Sequence, residues 1–430
     1  MCWEKEIEFI EEKKLRDLQL ERLKATIKNA EKTEYYKHKF KELKIDTNIE
    51  TLADLKKFPF TTKDDLRKAY PTGFLAVDKK DLVRLHSSSG TTGIPTVIYW
   101  TKSDLERDTN IVARSLYMAG VRSTDVFQNM MSYGLFTGGL CLHYGAEKIG
   151  CLVIPIGAGN TARQIKFIMD FGVTVLHITP SYALHLINEL VKMGIEPEST
   201  TVKRLILGAE PYSDFTKKRI EEMMKVEAYD CYGLSEMNGP AVAFQCPERE
   251  GLHLWEDYYI AEIINPVTGE EVSNGEEGEL VLTILVREAM PLIRYKTKDI
   301  VYKYKEKCKC GRTHTRISRI KGRTDDMFIV SGVNVYPSQI EQVIMRIPEV
   351  GNNYQIILKR EDHLDRLYLK IELNPKFFTG NLKEVNAIRE KIIHALRNEI
   401  LITPRVELVS AGSLPESTGK AKRVFDEREI

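Results

Sequence analysis

The sequence predicts an α/β protein with a large N-terminal domain and a small α+β domain at the C-terminal end. Short apolar segments rich in branched residues, such as VTVLHIT and KRLILGA, alternate with amphipathic helical patterns such as SDFTKKRIEEMMK. This alternation predicts βα units and mostly parallel, buried sheets. From about Gly251 hairpin patterns replace the helices, and after Asp325 a compact α+β pattern follows.

The size and composition of the chain narrow the classes of function. Its 430 residues exceed one average core and predict at least two domains. Its 63 basic and 62 acidic residues leave a formal net charge of +1, which favours neither a nucleic acid nor a membrane as partner. The N-terminus lacks the pattern of a signal peptide, and no apolar run approaches the roughly 18 residues of a membrane span. We therefore expect a cytoplasmic protein.

The predicted elements of the N-terminal domain follow in chain order. Residues 3–70 carry leucines and Ile27 near the 3.6-residue period, which predicts helices. Strands in LVRLH and PTVIYW flank a polar loop, and the βα units follow from GCLVIPI onwards. The segment YYIAEIINPVTGEEVSNGEEGELVLTIL alternates polar and apolar residues around Asn-Pro and Gly turns, which predicts hairpins.

The C-terminal region combines two helical patterns with several strands. SQIEQVIMRI and EVNAIREKIIHALRNEI are the predicted helices, and YQIILKR, RLYLKIEL and RVELVS are strand patterns. Ser338 and Glu341 have the spacing of a capping box at the start of the first helix. We place the domain boundary near Asp325, which gives an N-terminal domain at 1–324 and a C-terminal domain at 325–430.

The polar loop within LHSSSGTTGIPTVIYW has the composition of a phosphate-binding turn. Inward-pointing N–H groups bind phosphate, and glycines let it approach the backbone. The loop does not match G-x-x-x-x-G-K-S/T, because it lacks the lysine and a strand follows Pro95, and it does not match G-x-G-x-x-G. On these residues alone, a phosphate loop and a plain polar hairpin loop both remain open.

Five motifs occur in the order typical of one superfamily. SSSGTTGIPT, YDCYGLSE, IRYKTKDI, KGRTDD and ESTGKAKRV resemble the phosphate loop, the aromatic-Gly-x-Thr/Ser-Glu motif, the ribose motif, the hinge and the catalytic-lysine loop of acyl-adenylate-forming enzymes. SYGLFTGGLCLHYGAEKIG, LGAEPYS, GLHLWED and GVNVYPSQIE are similar to the phenylacetate–CoA ligase branch. The resemblance covers essentially the whole chain.

This resemblance implies an ATP-dependent ligase with coenzyme A as co-substrate. An aryl acid would attack the α-phosphate of ATP to form an acyl-adenylate, and the CoA thiol would then take the acyl group and expel AMP. The resemblance also implies a homodimer, and a mobile C-terminal domain that rotates about a hinge at Asp325 between the half-reactions. Phenylacetate is the default acid, while hydroxylated phenylacetates, indoleacetate and benzoates remain open.

The resemblance assigns residues to each part of ATP. Those for the β- and γ-phosphates are Ser87, Ser88, Ser89, Gly90, Thr91, Thr92 and Gly93. Those for adenine, ribose and α-phosphate are Gly208, Ala209, Glu210, Asp230, Tyr232, Gly233, Ser235, Asp299 and Arg323. Within this set Tyr232 would stack on adenine, and Asp299 and Arg323 would bind ribose. The alternatives are an ordinary buried aromatic ring and surface ion pairs.

Two further residues are assigned to the chemistry itself. Glu236 is the expected Mg²⁺ ligand, because a carboxylate is a hard donor for a hard cation. Lys420 is the expected catalytic cation between the substrate carboxylate and the α-phosphate. The alternative for Lys420 is a solvated lysine in a charged tail. Many family loops carry a lysine where this chain has Thr96, so we expect Mg²⁺ to neutralise more of the phosphate charge.

The acid pocket is predicted at Tyr133, Phe136 and Gly138 in SYGLFTGG. Glycines beside aromatic rings form a flat apolar slot that suits an aryl group. The alternative is a glycine-rich helix start that only packs.

A structural zinc site is predicted outside the ATP-binding motifs. The seven cysteines are odd in number and scattered, which argues against a disulfide framework. Cys308 and Cys310 form one half-site, and Cys246 and His253 complete a tetrahedral Cys₃His set. His314 is an alternative fourth ligand, and free thiols are the alternative to a metal.

Two rival functions share the scaffold. One is adenylation with a non-CoA acceptor, such as an amine or a carrier-protein thiol. The other is a non-catalytic nucleotide-binding protein, against which Glu236, Asp299, Arg323 and Lys420 speak.

Overall fold

The computed structural model describes residues 2–87, 95–330, 333–361, 364–377, 381–415 and 421–428. The α-helices are α1 (Lys5–Glu8), α2 (Glu12–Ala30), α3 (Glu34–Glu42), α4 (Lys63–Lys68), α5 (Lys102–Met118), α6 (Thr137–Ile149), α7 (Thr161–Phe171), α8 (Pro180–Lys192), α9 (Asp214–Met224), α10 (Pro337–Ile344) and α11 (Leu382–Ile400). The β-strands are β1 (Leu82–Ser87), β2 (Val97–Thr101), β3 (Val126–Asn129), β4 (Leu152–Ile154), β5 (Val175–Ile178), β6 (Arg204–Leu207), β7 (Glu227–Leu234), β8 (Gly239–Phe244), β9 (Leu252–Leu254), β10 (Tyr259–Ile264), β11 (Gly278–Ile284), β12 (Tyr295–Val301), β13 (Arg316–Ile317), β14 (Gly322–Arg323), β15 (Phe328–Val330), β16 (Val333–Val335), β17 (Val350–Glu361), β18 (Leu364–Leu373), β19 (Arg405–Val409) and β20 (Val424–Asp426).

The chain divides into two compact units that interleave in sequence. The first unit contains Met1–Gly157, Val173–His177 and Tyr229–Ile320. The second unit contains Ala158–Gly172, Ile178–Ala228 and Lys321–Ile430. The domain boundary between residues 324 and 325 stays a prediction. The two units are defined by which residues pack together, and the second unit contains residues from both sides of that boundary.

The first unit contains both parallel strands and hairpins, as the sequence predicts. Strand β3 pairs in parallel with β4 and β5, while β7, β8, β9 and β13 pair antiparallel in that order. Strands β10, β11 and β12 form an antiparallel meander in the predicted hairpin region. The predicted strands around the polar loop are β1 and β2, which pair antiparallel. The predicted α/β fold class is confirmed.

The second unit contains a four-stranded sheet in the order β19-β18-β17-β20. The two central strands are antiparallel, and each outer strand runs parallel to its neighbour. Along α11 the residues Ile388, Ile392, Leu396 and Ile400 recur every four positions and are buried, so a single apolar stripe covers the core. Among the described residues, no helix is both long and apolar enough to cross a membrane.

The capping-box prediction for α10 is wrong. The helix begins at Pro337 with Tyr336 as its N-cap, because proline is preorganised for the first helical position and lacks the N–H that would have no partner there. Ser338 therefore lies in the first turn, and its hydroxyl donates to the Lys321 carbonyl at 2.5 Å. Glu341 is buried and accepts hydrogen bonds from the Thr216 and Tyr354 hydroxyls at 2.7 and 3.0 Å.

Candidate functional site

The structure describes one residue of the predicted phosphate loop, and it does not include the predicted catalytic lysine among the described residues. Ser88, Ser89, Gly90, Thr91, Thr92, Gly93 and Lys420 lie outside the described residues. Ser87 is described at the end of β1, where it is buried and its backbone N–H donates to the Leu135 carbonyl at 2.9 Å. One end of the predicted phosphate loop is therefore bonded to the segment of the predicted acid pocket.

Tyr232 and Asp299 form a buried pair in the first unit. Tyr232 lies on β7 and Asp299 on β12, and the Tyr232 hydroxyl donates to Asp299 Oδ2 at 2.6 Å. The Asp299 backbone N–H donates to Thr297 Oγ1 at 3.1 Å. A charged acceptor makes such a hydrogen bond short and strong, so the pair fixes the orientation of the carboxylate before any ligand arrives.

Glu236 contacts Thr96, which precedes β2, and Lys63, the first residue of α4. It lies in the 3₁₀ turn after β7, and it is buried. The Thr96 hydroxyl donates to Glu236 Oε1 at 3.5 Å, and Lys63 Nζ lies 3.5 Å from the same oxygen. Thr96 thus contacts the expected Mg²⁺ ligand, and Lys63 brings a positive charge to the site. Lys63 could not be found from the sequence, because at the start of α4 it has the pattern of an ordinary helix residue.

The turn that carries Glu236 depends on close approach of two backbones. A Cβ at Gly233 would lie 1.7 Å from the Gly239 carbonyl oxygen, so only glycine fits there. Ser235 follows, and its hydroxyl accepts from the Thr137 hydroxyl at 2.9 Å. Ser235 is therefore oriented by the first residue of α6, which joins the nucleotide motif to the pocket segment.

Asp230 on β7 forms an ion pair with Arg319. It is buried, and Arg319 Nε lies 3.4 Å from its carboxylate. Burial raises the pKa of Asp230 to about 6, while the charge of Arg319 opposes that rise. Asp230 is therefore a buried carboxylate that is paired with Arg319 of the protein itself.

The remaining nucleotide candidates belong to the second unit. Gly208, Ala209 and Glu210 follow β6, and Ala209 has a φ of 70°, a conformation that costs energy for a residue with a Cβ. Glu210 is partly buried and accepts from two backbone N–H groups. Arg323 lies on β14, with its Nε 3.0 Å from Asp325.

The predicted acid-pocket residues lie between β3 and α6 in the first unit. Tyr133 is partly buried, and its hydroxyl accepts from Asn129 Nδ2 at 2.8 Å. Phe136 is exposed and is the N-cap of α6, while a Cβ at Gly138 would meet nothing within 4 Å. Open space at Gly138 and an exposed ring at Phe136 leave room for an aromatic ligand in this segment.

Four metal-binding side chains converge in the first unit. One ligand atom from each of Cys246, His253, Cys308 and Cys310 lies within 4.8 Å of all the others. The Cys246 and Cys308 sulfurs are 3.6 Å apart, and Cys310 Sγ is 3.3 Å from His253 Nε2. Sulfur ligands on tetrahedral zinc lie about 3.7 Å apart, given Zn–S bonds of about 2.3 Å. These distances fit a zinc ion.

The hydrogen bonds of the two histidines identify the fourth donor. His253 Nδ1 donates to the His314 carbonyl at 3.2 Å, which directs Nε2 toward Cys310. His314 uses its own ring nitrogens elsewhere, donating to the Ile7 carbonyl and accepting from the Glu256 backbone N–H. The structure therefore places His253 in the cluster and His314 outside it. Hydrogen bonds from the Cys246 thiol and then from His253 lower the pKa of Cys310.

Two family models match most of the chain. The family model "AMP-binding enzyme" matches residues 14–284, and "AMP-binding enzyme C-terminal domain" matches residues 332–428. Phenylacetate-coenzyme A ligase of Thermus thermophilus is 44% identical over 100% of both chains. The protein of that name from Escherichia coli is 42% identical over 97% of this chain and 95% of the relative.

A solved structure of 2-hydroxyisobutyryl-CoA ligase, in the postadenylation state with an acyl-AMP, is also similar. It is 27% identical with a TM-score of 0.94, covering 99% of this chain and 92% of that one. The family model covers more than half of the chain, and the named relatives match nearly all of it. The chain belongs to the phenylacetate–coenzyme A ligase family of AMP-binding enzymes.

Proposed function

We propose that this chain joins phenylacetate or a similar aryl acid to coenzyme A at the expense of ATP. The observation that carries this proposal is the similarity to phenylacetate-coenzyme A ligases at 42% to 44% identity over nearly the whole chain. Within the chain, the oriented Asp299 carboxylate and the buried Glu236 support it. The acid itself is the least constrained part of the proposal, and Tyr133, Phe136 and Gly138 are its candidate contacts.

The reaction has two balanced steps. A carboxylate oxygen of the acid attacks the α-phosphorus of ATP and forms an acyl-adenylate while pyrophosphate leaves. The CoA thiolate then attacks the acyl carbon, the acyl–oxygen bond breaks, and AMP leaves. Adenylation is needed because a carboxylate has no adequate leaving group at neutral pH. The protein must orient two anions and stabilise charge on the transferring phosphoryl group.

The proposed site residues divide this work. The Tyr232 ring stacks on adenine, and its hydroxyl holds Asp299 toward the ribose hydroxyls. Ser235, oriented by Thr137, donates to the α-phosphate. Lys420 supplies the cation between the carboxylate and the α-phosphate. Lys63 adds a cation beside Glu236, where the loop itself has Thr96.

Two metal ions fit the donor sets of the first unit. Glu236 and the Thr96 hydroxyl are hard oxygen donors suited to Mg²⁺, which neutralises phosphate charge when bound. The Cys₃His cluster suits zinc, and its four protein donors leave no open position for substrate. Zinc bound there would be structural, with Cys308 and Cys310 of the loop between β12 and β13 held to His253 on β9.

The resemblance also supports a homodimer and a cytoplasmic location. Light scattering during size-exclusion chromatography tests the first, with a mass near twice 49.3 kDa expected. Cell fractionation with antibody detection tests the second, and activity in the membrane fraction would contradict it.

The decisive experiment measures AMP and pyrophosphate release with a panel of aryl acids, with and without CoA. Sustained acid-dependent turnover only with CoA supports the proposal. An adenylate that CoA never discharges indicates another acceptor, and nucleotide binding without turnover for any acid indicates a non-catalytic protein.

Lys420→Ala tests the residue roles within this reaction. Adenylation should fall by on the order of 100-fold or more, because the cation acts in that transition state. Thioester formation from a supplied acyl-adenylate should change little. Equal loss in both half-reactions would contradict the assignment.

A further inference from the structure

Arg287 is a buried residue whose guanidinium links two segments of the first unit. Only 3% of Arg287 is exposed. Its Nη1 donates to the Glu236 carbonyl at 2.9 Å, and its Nη2 donates to the Tyr99 carbonyl at 3.1 Å. The guanidinium also lies over the Trp100 ring, 4.7 Å from its centre. One side chain therefore connects the turn that carries Glu236 with strand β2.

The backbone that carries Arg287 is fixed on both sides. The Val286 carbonyl accepts from Arg107 Nη1 at 2.8 Å. The Arg287 carbonyl accepts from Asn29 Nδ2 at 3.2 Å. The carboxylate of Asp104, a buried residue of α5, accepts from the N–H groups of the two residues that follow Arg287, at 2.7 and 2.9 Å. A side chain can position another group accurately when its own support is held in this way.

The two linked segments carry the oxygen donors that we propose for Mg²⁺. Thr96 immediately precedes β2, and its hydroxyl lies 3.5 Å from Glu236 Oε1. Tyr99 is three residues further along the chain, so a hydrogen bond to its carbonyl holds the backbone close to Thr96. All of these residues belong to the first unit. The separation of the two oxygen donors therefore depends on the Arg287 link.

The turn at Glu236 is held from outside by side chains. Arg287 binds the Glu236 carbonyl, and the Tyr259 hydroxyl donates to the Met237 carbonyl at 2.9 Å. The next residue, Asn238, has a φ of 64°, a conformation that costs energy for a residue with a Cβ. Such a conformation persists only when the surrounding structure maintains it. Removal of one outside contact should therefore let the turn shift.

We propose that Arg287 is a positioning residue for the Mg²⁺ ligands: its guanidinium holds the Glu236 carbonyl to β2 and thereby fixes Glu236 Oε1 beside the Thr96 hydroxyl. This inference rests on the metal-binding role of Glu236 given under the proposed function. Arg287 lies outside the five sequence motifs, and it acts through Glu236 rather than on the metal. Because Mg²⁺ requires nearly ideal ligand geometry, a small shift of this carboxylate should weaken metal binding.

The first experiment measures metal binding without turnover. Isothermal titration gives the affinity for a non-hydrolysable ATP analogue in buffer with and without Mg²⁺, and the ratio of the two affinities is the Mg²⁺ enhancement. In Arg287→Met this enhancement should fall on the order of tenfold, because small misplacements of a positioned group have effects of that size or larger. The affinity without Mg²⁺ should stay within about twofold.

Arg287→Lys provides a second variant, which also serves if Arg287→Met does not fold. Lysine keeps the charge but lacks the planar fork of arginine, so the Mg²⁺ enhancement should fall by a smaller factor, about threefold. An unchanged enhancement in every folded Arg287 variant would overturn the inference. Equal losses of affinity with and without Mg²⁺ would also overturn it, because they would indicate a general structural role.

Arg316→Met is the matched control. Arg316 is 4% exposed, and it donates to the Glu250 and Glu306 carbonyls at 2.6 and 2.9 Å. Its guanidinium lies over the Tyr304 ring, 4.6 Å from the centre. Loss of either arginine should lower the melting temperature, but only Arg287→Met should lower the Mg²⁺ enhancement. A similar reduction in Arg316→Met would contradict a specific role for Arg287.

A double-mutant cycle separates this inference from the proposed function. If Arg287 acts through Glu236, then Arg287→Met should cause no further loss of Mg²⁺ enhancement in the Glu236→Gln background. Additive losses would contradict the inference while leaving the metal-binding role of Glu236 intact. A Glu236→Gln protein with a normal Mg²⁺ enhancement would instead contradict that role in the proposed function.

Amide hydrogen exchange tests the contact in the protein without nucleotide. Exchange in a peptide spanning 234–239 should speed up in Arg287→Met, because the turn loses the donor that holds the Glu236 carbonyl. The same peptide should exchange normally in Arg316→Met. Unchanged exchange of this peptide in Arg287→Met would overturn the proposed anchoring.

Discussion

The Cys/His cluster belongs to the same unit as Tyr232, Asp299 and Glu236, which we propose for the nucleotide and its Mg²⁺, but the two groups use their polar atoms differently. In the cluster, four ligand atoms face one another within 4.8 Å. Among the proposed nucleotide residues, the two acidic groups have protein partners: the Tyr232 hydroxyl donates to Asp299, and Thr96 and Lys63 contact Glu236. A closed set of donors suits a permanent ion, whereas acids oriented by neighbours suit a substrate that arrives and leaves. Cluster variants should therefore change stability, and nucleotide-site variants should change kinetics.

The largest expected effect is on stability, in Cys310→Ser. Loss of one of four ligands should remove most of the zinc and lower the free energy of unfolding by about 3 kcal/mol or more, because binding energy at a structural site is folding energy. Metal analysis and thermal unfolding measure both quantities. The matched control is Cys2→Ser, which lies outside the cluster. Folded protein that contains no zinc and is unaffected by the substitution would break the comparison.

Asp299→Asn should produce the largest kinetic effect among the nucleotide-site variants. The KM for ATP should rise about 10- to 100-fold, because a hydrogen bond to a charged group is worth about 1.5–3 kcal/mol. Steady-state kinetics give the KM, and thermal unfolding should show little change, since asparagine still accepts from Tyr232. A large loss of stability with a normal KM would place Asp299 with the structural residues instead.

Lys63→Met removes the cation beside Glu236 and keeps much of the side-chain volume. We expect the KM for ATP to rise about tenfold, which corresponds to roughly 1.4 kcal/mol, with no change in zinc content. The matched control is Lys68→Met, at the last residue of the same helix. Equal behaviour of the two variants would show that Lys63 is an ordinary surface lysine.

Tyr232→Phe should have the smallest effect, because the ring that we propose to stack on adenine remains. Only the hydrogen bond to Asp299 is lost, and the expected increase in the KM for ATP is about threefold to tenfold. Isothermal titration with a non-hydrolysable ATP analogue provides an independent measure of affinity. Unchanged affinity would mean that Asp299 is oriented without the tyrosine.

Sequence patterns predicted the elements well where local chemistry decides them. Strands flank the polar loop, parallel strands lie among the βα units, and antiparallel hairpins follow Gly251. The start of α10 is an exception: Ser338 and Glu341 have the spacing of a capping box, but the helix begins at Pro337, because proline is preorganised for the first helical position. Glu341 is instead bonded to Thr216 and Tyr354, partners that no local pattern could reveal.

In the candidate site, too, some residues could be predicted from the sequence and others only from the folded structure. The motif residues could be predicted from the sequence, but Lys63 could not, because it belongs to no motif and reaches Glu236 only in the folded chain. Glu210 was predicted to line adenine, but its hydrogen bonds from the Ser181 and Ala421 backbone N–H groups could not be predicted. Both corrections concern pairs separated by many residues, whose distance depends on how the elements pack.

By itself the sequence determined the fold class, the five ordered motifs and three cysteines that suit zinc together with His253 or His314. Only the tertiary structure decided that His253, and not His314, completes the cluster. The reason is register: His253 lies on β9 opposite Arg316 and Phe244, and its ring turns toward Cys310 while the His314 ring is bonded to Ile7. Spacing along the chain cannot encode the direction of a ring, because strand pairing and side-chain packing set that direction.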